Sequence, residues 1–228
     1  MSNIPTHIGF IIDGNRRWAK ARGLKPYEGH YAGYDAIKDV LIEAHRRGVK
    51  YTSAFVFSTE NWGRSSIEIN KLMDLLVKVL TDDLHIFNEE NIKLKVIGTR
   101  ERLSKKVIQA IDNAESQTAA NDGGELLMCL NYGGQLEIAK ACQKIVQQGI
   151  PASDITPELI AQNLYAPDVP PCDMIVRTSG EQRLSGFMLW RAAYSELMFI
   201  QKNWPDMTKE DVTVILNEYE NRNRRFGG

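Results

Sequence analysis

The chain has 228 residues, 43% hydrophobic and 25% charged. That composition excludes disordered and fibrous classes and suits one α/β domain over 1–228. Lys+Arg number 28 and Asp+Glu 29, a formal net charge of -1; proteins that grip a phosphate backbone carry a basic excess, so no nucleic-acid partner is expected.

Short apolar runs alternate with helical patterns along the chain. Residues 8–12 (IGFII) read as a buried strand, 30–47 as a helix stopped by Gly48, and 51–57 (YTSAFVF) as a second strand. A long helical pattern covers 67–90, followed by a strand at 92–97, a helix at 101–120 and a turn at Asn121-Asp122-Gly123-Gly124. Strand 126–130 and helix 135–148 come next, then Thr156-Pro157-Glu158 as an N-cap with Pro at the first helical position. Residues 174–176 read as a short strand, 187–195 as helical, 197–200 as extended, and Thr208-Lys209-Glu210-Asp211 as the cap of a last helix. Strands spaced in this way by helices imply a mostly parallel central sheet flanked by helices.

The N-terminal apolar run ends at Asp13 with no basic region before it, and no stretch approaches the ~18 apolar residues of a membrane span. Cys129, Cys142 and Cys172 are odd in number, lack CxxC spacing and have apolar neighbours. They read as buried thiols, and a cytoplasmic location is expected.

The densest polar clusters follow the predicted strands. Strand one runs into Asp13-Gly14-Asn15-Arg16-Arg17-Trp18 and strand two into Ser58-Thr59-Glu60-Asn61-Trp62-Gly63-Arg64. Later strands run into Asn131-Tyr132-Gly133-Gly134 and into Arg177-Thr178-Ser179-Gly180-Glu181-Gln182-Arg183-Leu184-Ser185. Taken singly, each reads equally well as a solvated loop. Together, at the carboxyl ends of parallel strands, they predict one ligand crevice. Arg forks and N–H groups at a helix start suit phosphate oxygens, and an Asp at a strand end suits Mg²⁺ bound with substrate phosphates. No GxxxxGK[ST], GxGxxG, GxSxG or HExxH pattern is present. His30 opens a helix, where its ring could face an anion, whereas His45 and His85 read as ordinary helix residues. The apolar stripe on 67–90 is wider than core packing needs; it fits a well-buried helix or the wall of an apolar channel. Asp82-Asp83 in this pattern reads as a solvated helix face.

HIGFIIDGNRRWAKARG, Gly29-His30, FSTENWGR, NYGG, RTSGEQRLSGFMLW and Tyr194-Ser195-Glu196 resemble, in order and spacing, the cis-prenyltransferases, most nearly the bacterial enzymes that make undecaprenyl diphosphate. The resemblance runs from His7 to the closing Arg224-Arg225-Phe226-Gly227-Gly228. It implies a homodimeric α/β fold with an apolar tunnel, and Mg²⁺-dependent condensation of isopentenyl diphosphate onto farnesyl diphosphate with Z double bonds. It implies Asp13 as the carboxylate at the Mg²⁺–diphosphate centre and Glu196 as a second metal carboxylate. Gly14, Asn15, Arg16, Arg17, Trp18 and His30 would surround the allylic diphosphate. Ser58, Thr59, Glu60, Asn61, Trp62 and Arg64 would form a mobile loop, with Asn61 assisting proton removal. Arg177, Arg183, Leu184 and Ser185 would hold isopentenyl diphosphate.

The chain departs from the family's pattern in four places. Pro26 stands where many members have Arg, with Lys25 beside it; Arg16 stands where some have Gly, Gln182 where some have His, and Ser65 where Pro is common. The spacing between ENW and IKLKVIG implies a 55-carbon product, the carrier-lipid precursor of cell-wall polysaccharide. A buried tail implies slow release, through transient contact with a membrane surface or with detergent.

Overall fold

The computed structural model describes residues 4–222. Six parallel strands form one sheet in the order β3-β4-β2-β1-β5-β6. They are β1 (His7–Ile11), β2 (Tyr51–Ser58), β3 (Ile92–Ile97), β4 (Gly124–Tyr132), β5 (Met174–Arg177) and β6 (Glu196–Phe199). β1 is buried along its whole length, which is why, after His7, Ile8–Ile11 is a continuous apolar run rather than an alternating one.

The helices are α1 (Asn15–Ala21), α2 (Pro26–Arg46), α3 (Ser66–Thr81), α4 (Leu84–Glu89), α5 (Lys105–Gln117), α6 (Gly134–Gln147), α7 (Pro157–Asn163) and α8 (Lys209–Asn221). One core lies under α2, α3, α4, α5 and α8; the other, around Leu127, Cys129, Tyr132, Ile175 and Phe187, occupies the opposite face of the sheet. The predicted caps form: Thr156 Oγ1 accepts the Leu159 N–H at 3.2 Å, and Asp211 Oδ2 accepts the Thr208 N–H at 2.8 Å.

Five expectations are corrected. The helical pattern over 67–90 is two helices that part at Asp82-Asp83, so this pair is a break and not a solvated face. Residues 187–194 form successive turns rather than a helix: Met188 holds a positive φ of 48°, following Ser185 and Gly186 at 51° and 79°, a backbone that a helix cannot accommodate. α2 begins at Pro26, so His30 lies a full turn inside it. Asn15, Arg16, Arg17 and Trp18, grouped with the polar cluster after strand one, lie in α1. Cys142 is exposed on α6, while Cys129 and Cys172 are buried as expected. The closing RRFGG segment lies outside the described residues. Among those described, no helix is long and apolar enough to cross a membrane.

Candidate active site

Asp13 stands two residues beyond β1 and is held from three directions. Its Oδ1 accepts the Gly14 N–H at 2.7 Å, its Oδ2 accepts Arg177 Nη2 at 2.9 Å, and its carbonyl accepts the Thr178 hydroxyl at 2.7 Å. Gly14 turns the chain with φ 102°, a left-handed backbone open to glycine at little cost. A Cβ there would stand 2.4 Å from Asn203 Oδ1. α1 then starts without a side-chain cap, so its first N–H groups keep no intrahelical partner.

Arg177 ends β5 and is 3% exposed. Its guanidinium donates to Asp13, to Ser185 Oγ at 2.9 Å and to the Arg183 carbonyl. Left-handed residues at Ser179, Gly180, Ser185 and Gly186 fold the loop back on itself, so the Ser185 hydroxyl meets the strand from which it came. On the rim, Glu181 binds Arg17 at 2.5 Å and also pairs with Arg183. These two guanidiniums hold its carboxyl below the usual range.

A second carboxylate lies deeper. Glu68, in the first turn of α3, is 7% exposed. Its Oε1 is 3.1 Å from Arg64 Nη1, 3.5 Å from His30 Nε2 and 3.8 Å from Arg16 Nε. Burial, and then Arg64, push the His30 imidazole down to about 4, so the ring is neutral at pH 7. α2 comes this close to α1 because residue 29 is glycine: a Cβ there would lie 2.0 Å from the Asn15 carbonyl oxygen.

Between these groups is a cleft of about 460 Å³. Of the expected site residues it gathers Asp13, Gly14, Asn15, Arg16, Arg17, His30, Ser58, Asn61, Arg64, Arg177 and Ser185. An apolar cavity of about 60 Å³ shares His30 and Val56 with it. That cavity runs between α2, the 72–79 face of α3, Phe87 of α4 and the sheet residues Ala54, Phe57, Leu126, Met128 and Leu130. A basic cleft that shares wall residues with an apolar pocket suits an anionic head carrying a hydrocarbon tail.

A prenyltransferase family model, described as "Putative undecaprenyl diphosphate synthase", matches residues 11–227. The chain belongs to the cis-prenyltransferase family. The isoprenyl transferase of Thermotoga maritima is 42% identical over 99% of this chain and 97% of its own length. That of Lactococcus lactis is 40% identical over 99% and 94%. Lavandulyl diphosphate synthase from Lavandula x intermedia, solved in complex with dimethylallyl diphosphate, superposes with TM-score 0.92 at 33% identity over 99% of both chains. A "probable undecaprenyl diphosphate synthase" from Campylobacter jejuni superposes at 0.84, with 29% identity over 99% of this chain and 100% of that one.

Within this prenyltransferase the remaining expected residues lie off the cleft lining. Trp18 donates to Asp206 Oδ1 at 2.6 Å under the Arg22 guanidinium, and so pins α1 to the turn at 204–206. Thr59 sits against Gly133, where a Cβ would be 2.7 Å from its Oγ1, and donates to Glu60 at 2.9 Å. Trp62 donates to Asn131 Oδ1 at 2.8 Å with Arg102 over its ring. Arg183 turns outward to Glu181, and Leu184 packs on the core behind the sheet. Lys25 is exposed at the start of α2, its Nζ 5.9 Å from the Tyr27 ring centroid.

Within the single chain Glu196 is not brought to the cleft. It is paired with Met174 at the start of β5, whereas Asp13 lies past Ile11, which is level with Arg177 at that strand's end. The register puts the two carboxylates at opposite ends of the sheet, and Glu196 instead binds Arg222 at 2.9 Å. Some side chains in the cleft are also less free than expected. Asn15 Nδ2 is spent on the Ile12 carbonyl at 2.9 Å, and Asn61 Oδ1 accepts the Ser58 N–H at 3.1 Å. Glu68 and Glu181 were missed. Glu68 sits three residues after the Ser65 cap, a first-turn position that many helices fill with a carboxylate.

Asp13 fits a magnesium site that the substrate completes. It is the acidic residue lining the cleft, its side chain is 32% exposed, and it faces a basic surface suited to phosphate oxygens. Mg²⁺ characteristically takes one or two carboxylates, with phosphates and waters for the rest.

Proposed function

We propose that this prenyltransferase adds isopentenyl diphosphate repeatedly to farnesyl diphosphate to make undecaprenyl diphosphate, as a cytoplasmic Mg²⁺-dependent homodimer feeding cell-wall polysaccharide synthesis. The observation that carries the reading is that the cleft containing Asp13 and Arg177 shares the wall residues His30 and Val56 with an apolar cavity. The diphosphate bound in the Lavandula relative supports placing an allylic diphosphate in that cleft.

In each cycle the allylic C–O bond breaks and diphosphate leaves. A carbon–carbon bond forms to the terminal alkene carbon of isopentenyl diphosphate, whose second carbon then loses a proton. Mg²⁺ at Asp13 would neutralise charge growing on the leaving diphosphate. The N–H groups that open α1 aim fixed donors at the same charge, and Arg17 can turn from Glu181 to join them. Arg177, Arg183 and Ser185 orient isopentenyl diphosphate, and holding both reactants in line can supply roughly 7–11 kcal/mol of the barrier. Asn61 is too weak a base to act alone, so it positions a diphosphate oxygen that takes the proton.

The test is to incubate pure protein with farnesyl diphosphate, labelled isopentenyl diphosphate and Mg²⁺, then dephosphorylate and run the products on a reverse-phase plate. A 55-carbon alcohol is expected; no incorporation rejects the reading. A shorter product is the second reading, favoured by a cavity of only about 60 Å³. A non-catalytic partner subunit would have dispensed with Asp13 and the ENW loop, and both are intact.

A further inference from the structure

We propose that Tyr34, backed by Asp83, forms a polar stop in the wall of the apolar cavity and sets the length of prenyl tail it accepts, an inference that rests on the function proposed above. The cavity walls are mostly aliphatic side chains from α3 and the sheet. Tyr34, one turn beyond His30 on α2, interrupts them. It is 6% exposed, and its hydroxyl is buried without a well-formed hydrogen bond. Beside that hydroxyl stands Asp83, in the gap between α3 and α4; burial, and then this carboxylate, push the phenol's pKa up. Asp83 Oδ2 is itself buried, 3.7 Å from Lys78 Nζ. Lys38 Nζ lies 4.7 Å from the centroid of the Tyr34 ring. Phe87, one turn along α4 from the break, lines the same cavity.

An advancing hydrocarbon gains free energy along aliphatic walls, because each methylene leaves water. It gains none against a hydroxyl and a carboxylate, whose remaining polar contacts it would strip away. The Tyr34 ring also fills space. The cavity, about 60 Å³, is well below the ~300 Å³ of the smallest drug-sized sites, so a long tail must part α2 from α3. Growth stops where further parting means pulling Tyr34 and Asp83 from each other.

The test is product length after dephosphorylation. Tyr34→Leu removes the hydroxyl and part of the bulk, and Asp83→Leu removes the charge. Each is expected to shift the main product upward by at least one isoprene unit, with turnover retained. Val146→Ala, at a position 72% exposed on α6, is expected to leave the length unchanged. Parental product length from the folded, active variants overturns the proposal. Absence of turnover in the parent protein strikes instead at the function on which it rests. Circular dichroism checks folding; should Tyr34→Leu fail to fold, Asp83→Leu decides alone, because its side chain is 18% exposed at a helix break and is the easier one to replace.

Discussion

Replacing Arg177 with Lys keeps the charge and removes the fork. The native guanidinium makes three donations, to Asp13 Oδ2, Ser185 Oγ and the Arg183 carbonyl, from a side chain 4% exposed. Each hydrogen bond to a charged group contributes about 1.5–3 kcal/mol, and an ammonium is a point charge that cannot reproduce a planar fork. If two of the three are lost, the gross cost is roughly 3–6 kcal/mol. The Asp13 side chain is 32% exposed, so solvent recovers part of its share, and about 2–4 kcal/mol is expected in unfolding free energy. Arg177 also aims Asp13 and Ser185, so kcat/KM for isopentenyl diphosphate should fall by at least ~100-fold, about 2.7 kcal/mol of transition-state binding. Urea unfolding gives the first number and steady-state kinetics the second. A double-mutant cycle with Asp13→Asn isolates the pair, and a coupling of about 1–2 kcal/mol in stability is expected. Additivity within about 0.5 kcal/mol, or activity within tenfold of the parent, would refute the account of Arg177 as the anchor of this centre.

Three further outcomes follow from the same geometry. Glu68→Gln leaves Arg64, His30 and Arg16 without their shared carboxylate; with Arg16 half exposed, the loss should be about 1–3 kcal/mol rather than the 3–5 of a fully buried pair, and a change below about 0.5 kcal/mol in urea unfolding contradicts it. His7, His30 and His45 are each pushed from 6.5 to about 4, chiefly by burial. The unfolded chain therefore binds their protons first, and stability is lost as pH falls from 6.5 towards 4, by about 2 kcal/mol per histidine between pH 7 and 5; equal unfolding midpoints at the two pH values reject it. Chelation with EDTA should abolish turnover and added Mg²⁺ restore it, whereas Asp13→Ala should show no such rescue; near-normal incorporation by Asp13→Ala sinks the proposed metal site.

The strands were legible because a parallel sheet covered on both faces demands apolar runs, as in residues 8–11 of β1 and 174–176 of β5. The break at Asp82-Asp83 was not, because both residues tolerate helix and the break is set by how α4 packs on β3. The turns at 185–194 were hidden for a related reason: their left-handed residues are Ser and Met rather than Gly alone. Much of the site was legible from position, since loops after parallel strands must gather at one edge of the sheet. Glu68 was not, because it meets residues 16, 30 and 64 only after α1, α2 and α3 pack together. The place of Glu196 was not legible either, because strand register decides which end of the sheet a residue occupies within one chain.

The cleft's cations are matched by carboxylates held at different depths. Glu68 is buried and holds Arg64 in place; pulling it away would strand charge in a low-dielectric site, so this pair stays fixed as the wall. Glu181 is at the rim, shared by Arg17 and Arg183, whose side chains are 51% and 58% exposed. Ion pairs so well solvated are worth little, and these two arginines can turn from Glu181 to a diphosphate at small cost. Arg177 cannot turn, because its three partners and its burial fix it. On the proposed reaction, a rigid arginine at the base defines where the head group sits, and two yielding ones at the rim close over it once it has arrived.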